Sequence, residues 1–341
     1  MTAILKVLDA GAYSTFQDMG RYGYQDVGVP VSGAIDRVSA RLANTLVGNS
    51  AGAPVLEMLL QGISFEVQAS SARVVLFGCD GALAISGPRQ LSVPAGRTVR
   101  VMRGDTVKVT SLGRSLCGYL AVEGGFDVPL QLGSASTYVR GSIGGLEGRV
   151  LRRGDSLHLV KPDVQPGAEK ELADPFDYGY EQAIRVVLGP QDDYFTEEAR
   201  QAFFSGEYTV SDKADRMGFR LDGPQLSHAD GYDLVSDGIV SGAIQVPGSG
   251  QPIVLLADAQ TTGGYPKIAT VISSDIPVLA RRRPGSAVRF TPVSLEQAEA
   301  IARDLNVRLC NIAEYGLREV APAGVLDLAA LRSENLSSGV V

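Results

Sequence analysis

A chain of 341 residues, 45% hydrophobic and 20% charged, has the length for two separate cores and the composition of a folded protein rather than a disordered one. A formal charge of −7, with no clustered excess of Lys and Arg, argues against a nucleic-acid partner. No stretch approaches the roughly 20 apolar residues of a membrane helix, and the start MTAILKVLDAGAYS lacks a signal-peptide pattern, so a cytoplasmic location and no membrane partner are expected.

The first elements are short β-branched runs between turn residues: ILKVL from position 4, ISFEV from 63, RVVLF from 73, TVRVM from 98, TVKVT from 106 and LCGYLAV from 116. Forty glycines and 17 prolines feed the connections, which predicts barrels or sandwiches and not a parallel α/β sheet. Between the first and second of these strands, QDMGRYGYQDVGVPVSGAIDRVSARLANTLVGN concentrates Asp18, Arg21, Asp36 and Arg37 among glycines. Val38, Leu42 and Leu46 lie on one helical stripe there, with Asp36 placed to cap the first turn. Glu57 stands inside the apolar run VLEMLL. A lone buried charge costs several kcal/mol, about 3 or more, so this acid is expected to be paired, with Arg21 or Arg37 as partner, or functional. Further on, GSASTYVRGSIGG reads as a glycine-rich loop able to bring Tyr138 and Arg140 to a pocket.

The pattern dissolves in the acidic, proline-containing segment between Lys161 and Gln182, the best linker candidate. Strands resume with IRVVL from 184, IVSGAIQV from 239, PIVLLAD from 252, ATVIS from 269 and AVRF from 287. Helical spacing over 193–204 sets Phe195, Ala199 and Phe203 on one face, and Ser294 with Gln297 forms a capping-box pattern before a helix ending near Leu305. VSGAI occurs at 31–35 and again at 240–244, a hint of two related halves. Arg281, Arg282 and Arg283 read as a solvated or ion-paired surface. The end of the chain, from about Ala321, shows one short helical pattern and a Ser/Gly tail expected to be mobile.

Two stretches carry most of the remaining polar chemistry. DAQTTGGYPK places Asp258, Gln260, Thr261, Thr262, Gly263, Gly264, Tyr265 and Lys267 after a buried strand, with Gln245 upstream; this is either a hydrogen-bonded turn or a site for a small amide or carboxylate. DRMGFRLDGP offers Arg216 and Arg220, whose guanidinium forks suit a carboxylate, a phosphate or a surface ion pair. Only two histidines occur, with no CxxC or HxxH pair, so no metal site is expected. Three separated cysteines in apolar context read as reduced core residues. The lack of a Gly-Lys dipeptide excludes a Walker-type phosphate loop.

Four ordered blocks, TFQDMGRYGYQDVGVPVSGAIDRVSARLANTLVGN with VLEM, GYLAVEGGFDVPLQLGSASTY, DRMGFRL, and SDGIVSGAIQVPGSGQPIVLLADAQTTGGYPKIATVI, resemble the allophanate hydrolase subunit 2 family over about residues 3 to 295. The resemblance implies a mainly β fold of two cyclophilin-like β-barrel domains with a few short helices: residues 1–165, a linker at 166–183, residues 184–310, and an extension at 311–341. It implies a C-type subunit of an ATP-dependent 5-oxoprolinase, opening the lactam of 5-oxoproline to glutamate beside A-type and B-type partner subunits. ATP, with Mg, would be held together with those partners. The alternatives it carries are a biotin-dependent carboxyltransferase subunit acting on urea or a related amide, and a non-catalytic regulator that binds a kinase-inhibitor partner. The stretch contains no biotin-carrier signature, which turns the expectation toward lactam opening. On that reading Lys267, Asp258 and Glu57 are the candidate catalytic residues. Gln245, Gln260, Thr261, Thr262, Gly263, Gly264, Tyr265, Arg216, Arg220, Asp18, Arg21 and Asp36 are the candidates for substrate binding.

Overall fold

A computed structural model describes residues 3–323. In the N-terminal half, alternating apolar residues build two antiparallel sheets that share one core. One sheet has six strands in the order Ser156–His158, Ile4–Asp9, Ser64–Val67, Thr106–Val109, Ala82–Ser86, Leu91–Pro94. The other has five, in the order Tyr13–Gln17, Val55–Leu59, Cys117–Val122, Ser71–Phe77, Thr98–Met102. Leu5, Phe65 and Val107 from the first meet Leu56, Val74 and Leu120 from the second.

The outer face of the five-stranded sheet is also buried. Helix α1, Arg37–Leu46, lays Leu42 and Leu46 against Val75, Phe77 and Tyr119 there, and Asp36 caps it through the Ser39 amide at 2.9 Å. Because strand side chains alternate, Leu56 and Met58 enter the core while Val55, Glu57 and Leu59 turn to the α1 face. That alternation is why an acid ends up wholly buried in an apolar strand.

The C-terminal half is built on an eight-stranded sheet in the order Ala287–Val288, Tyr208–Val210, Gly218–Asp222, Ile253–Leu255, Ala243–Gln245, Lys267–Val271, Ile184–Leu188, Phe290–Pro292. Its two outermost strands are separated in sequence only by Arg289, so the sheet curls until its edges almost meet, as a barrel does. Helix α2, Glu197–Ser205, is capped by Thr196 and stacks Phe203 on Phe290 at 4.7 Å between ring centres. The short α3, Ile276–Ala280, and the 21-residue α4, Leu295–Tyr315, complete the half. Two mainly β halves, each with its own core, are what the resemblance implied.

Several local expectations change. The segment expected to link the halves contains the strand Glu169–Leu172, paired with Leu317–Val320. Its Glu169 is buried and accepts hydrogen bonds from Thr98 Oγ1 and the Arg100 amide, both at 2.7 Å. Helix α4 has the expected Ser294/Gln297 capping box but runs ten residues beyond Leu305, with Arg41 of α1 reaching Asn306 at 3.1 Å. Arg281 and Arg282 are buried rather than solvated, because α3 carries them back toward the other half. Cys79 and Cys117 are core residues, whereas Cys310 is exposed on α4. In the repeated VSGAI, Gly33 and Gly242 share a left-handed backbone, with φ of 86° and 92°. The tail from Gly324 onward lies outside the described residues. No helix among the described residues is long and apolar enough to cross a membrane.

Candidate functional site

Antiparallel pairing of Gly218 with Leu255 sets the residues flanking the two strands side by side, and the Asp258 amide donates to the Arg216 carbonyl at 2.9 Å. The Arg216 side chain then grips the Asp258 carboxylate with both edges of its fork, Nε to Oδ2 at 2.8 Å and Nη2 to Oδ1 at 3.0 Å. It also donates to the Gly33 carbonyl at 2.8 Å and, through Nη1, to Glu57 Oε1, both in the N-terminal half. Glu57 Oε2 accepts from the Tyr119 hydroxyl at 2.8 Å and the Ile35 amide at 2.9 Å. The same hydroxyl accepts from the Asp36 amide at 2.9 Å. Burial works against the charge of Arg216, and the fields of Asp258 and Glu57 outweigh it, so its pKa stands above the ordinary value.

A cavity of about 300 Å³ opens beside this cluster, between the halves. Ile35, Leu59, Leu116 and Phe219 form apolar wall; Tyr13, Arg140, Asp215, Arg216 and Asp258 supply the polar groups. Burial pushes the Tyr13 phenol up to about 12, with Asp258 and Glu57 adding to the rise and Arg216 opposing it, so it stays a hydrogen-bond donor at neutral pH. An apolar pocket at a domain junction with a few convergent polar groups is the usual form of a small-molecule site. A larger groove, about 450 Å³ along α4 beside Leu172 and Phe176, contains none of the expected site residues.

The expected residues divide into three places. Asp258 and Arg216 line the cavity, and Glu57 stands behind them with no solvent exposure and both oxygens engaged. Asp36 lies further in, where Arg281 Nη1 joins it as an ion pair across the two halves. The partner of Glu57 is therefore Arg216, not Arg21 or Arg37. Arg37 instead reaches the Tyr22 hydroxyl at 2.6 Å. Asp18 and Arg21 organise the glycine-rich loop: Asp18 accepts from Ser134 Oγ at 2.7 Å and the Ala135 amide at 2.7 Å, and Arg21 donates to the carbonyls of Gln131 and Ser136. Burial lowers the pKa of Arg21 against the pull of Asp18 and Asp258.

Lys267 does not line this cavity. It begins a strand next to Gln245 and its ammonium pairs with Asp237 at 2.9 Å. Thr262 and Gly263 form a two-stranded ladder with Asp237 and Gly238, and the Leu234 amide donates to the Gly264 carbonyl at 2.8 Å. A Cβ at Gly263 would lie 2.6 Å from both Gln245 Nε2 and Ile239 Cδ1, and one at Gly264 would lie 2.8 Å from the Leu234 oxygen. Gly264 is thus required by the close approach of the Leu234 backbone, whereas at Gly263 the neighbours are side-chain ends that could shift. Gln260, Thr262 and Tyr265 are exposed, Thr261 is half-buried, and Arg220 is exposed on a strand of the barrel. Gln245 is buried with its Nε2 unpartnered. Tyr13, Tyr119 and Arg281 were not expected at the site from the sequence; each lies in an apolar or arginine-rich run that reads as ordinary strand or surface.

The chain belongs to the family described as carboxyltransferase domain, subdomain A and B, which it matches over residues 27–292. It is 37% identical over 305 residues to the C-type subunit of 5-oxoprolinase from Escherichia coli (strain K12), covering 88% of this chain and 95% of that protein. It is 31% identical over 344 residues to urea amidolyase of Saccharomyces cerevisiae, covering 93% of this chain and 18% of that one. Among solved structures it superposes on the crystal structure of the K. lactis urea amidolyase with a TM-score of 0.83 at 28% identity, across 96% of this chain. The chain spans about a fifth of that structure.

Proposed function

We propose that this chain is the C-type subunit of an ATP-dependent 5-oxoprolinase, opening the lactam of 5-oxoproline to glutamate with A-type and B-type subunits. The observation that carries the reading is the match along 95% of the C-type 5-oxoprolinase subunit of Escherichia coli. The cavity supports it, since its polar groups suit an amide. Asp258 presents a carboxylate for a ring N–H, Tyr13 a protonated phenol for a carbonyl oxygen, and the apolar wall a dry surface for methylenes. Glu57 and Arg216 hold Asp258 in place as an ionic frame.

ATP is a poor fit to this cluster. Arg216 faces two carboxylates and Lys267 is matched by Asp237, so neither cation is spare for a triphosphate. In this reading ATP and its Mg are held by the partner subunits, and the chain contributes amide recognition. Lys267, with Gln245 and the 258–267 bend, is a separate candidate contributor.

The test is reconstitution with A-type and B-type subunits and measurement of 5-oxoproline-dependent ATP hydrolysis. Activity that requires all three chains and falls with Asp258→Ala supports the reading; no stimulation by 5-oxoproline in the full complex refutes it. Turnover unchanged in Lys267→Ala removes Lys267 from the mechanism.

The biotin-dependent carboxyltransferase reading is favoured by the superposition on urea amidolyase. It requires avidin-sensitive carboxylation of urea or a related amide once a biotinylated carrier and a biotin carboxylase are added.

A further inference from the structure

We infer that Arg140 is the carboxylate anchor of the cavity and selects ring amides that carry an acid group; the inference rests on the lactam-opening reading. Arg140 sits at the tip of a tight turn, Val139–Gly141, closed on either side by reciprocal hydrogen bonds between Tyr138 and Ile143 at 2.8 and 3.1 Å. Behind the tip, Gly144 leaves no room for a Cβ, which would lie 2.0 Å from the Ser136 carbonyl, and buried Arg21 ties the same loop through that carbonyl. The turn is therefore held from its base, and Arg140, an exposed residue, is one of those that line the cavity.

The other charges of the cavity are occupied. Arg216 is shared by Glu57 and Asp258, leaving that trio one negative charge in excess. Asp215 turns Oδ1 back onto the amides of Met217 and Gly218, at 2.8 and 3.2 Å. Arg140 has no side-chain hydrogen bond or ion pair to any of the described residues, although it borders a cavity containing two acids. An acceptor-rich end at Asp258, an apolar wall, and an unmatched guanidinium fork define one chemical class: a small ring with an N–H on one side and a carboxylate on the other. Urea fills the first requirement and leaves the fork empty. A five-membered lactam with an adjacent acid fills both.

The experiment uses the reconstituted three-subunit complex and two probes assayed as competitors of 5-oxoproline: 2-pyrrolidinone, which has the lactam without the carboxylate, and proline, which has the carboxylate without the lactam oxygen. Arg140→Gln is expected to raise KM for 5-oxoproline about tenfold or more with kcat within about twofold, and to weaken proline by a similar factor, as loss of a charge-assisted pair does. Inhibition by 2-pyrrolidinone is expected to stay unchanged, and Arg140→Lys to recover part of the loss. Equal weakening of both inhibitors, or an unchanged KM, overturns the assignment while leaving lactam opening intact. A wild-type complex with no response to 5-oxoproline overturns both.

Discussion

Arg281, delivered by α3 of the C-terminal half, forms an ion pair with Asp36, the residue that caps α1 in the N-terminal half, and both side chains are almost wholly out of solvent. The same guanidinium donates twice to the Tyr178 carbonyl, at 2.8 and 3.2 Å, in the segment that joins the halves. Together with Glu57–Arg216 this makes the junction ionic at its centre, and the candidate cavity lies at that junction.

Removing one member of such a pair leaves the other charge buried and uncompensated. Asp36→Ala is expected to lower the free energy of unfolding by about 3–5 kcal/mol, since it strands Arg281 and deletes the helix cap. Urea unfolding measures this, and a loss under about 1 kcal/mol would mean the pair is solvated.

Glu57→Gln keeps the shape and one acceptor for Tyr119 and Ile35 but removes a counter-ion of Arg216. A stability loss of about 1–3 kcal/mol is expected, with the pH profile of turnover in the reconstituted complex unchanged. A shifted acidic limb of that profile would instead give Glu57 a role in moving protons.

Alkaline pH is expected to loosen the fold. Tyr13 and Tyr208 are raised by burial from 10.0 to about 12, and Cys79 from 9.0 to about 12. Each is favoured in its neutral form by folding, so its contribution is complete below the unfolded value and is lost as pH climbs to the folded one. Stability should therefore be flat near neutrality and fall between about pH 9 and 12. Denaturant midpoints measured across that range check it; a flat profile to pH 12 contradicts the burial of these groups.

Thiol accessibility offers a direct check on the packing of α4 and the five-stranded sheet. Cys310 is exposed, while Cys79 and Cys117 are buried and held protonated by desolvation. An alkylating reagent should modify one thiol per native chain and all three in denaturant. Rapid modification of Cys117 in the native state would show that the sheet opens.

Much of the fold was legible because its signals are local. Period-two runs such as TVRVM and TVKVT became strands at the expected places, and the Ser294/Gln297 pattern marked the start of α4. The end of α4 was not legible: its later turns are covered by α1 and by Leu317–Val320, neighbours that the helix's own periodicity does not report. The strand Glu169–Leu172 was missed because its acidic residues resemble a linker until the Thr98 hydroxyl and the Arg100 amide are seen to saturate Glu169.

The candidate site shows the same division. From the sequence by itself came the β halves, the buried acid at Glu57, the cap at Asp36 and the arginines that carry the ionic chemistry, because burial and charge are properties a residue brings with it. Which arginine meets which acid was decided only by tertiary structure. Glu57 and Arg216 are 159 residues apart, Asp36 and Arg281 are 245 apart, and no period or propensity reports such separations. The density of polar residues in DAQTTGGYPK suggested one site, but folding divides it, since strand pairing holds Asp258 beside Arg216 and sends Lys267 to Asp237.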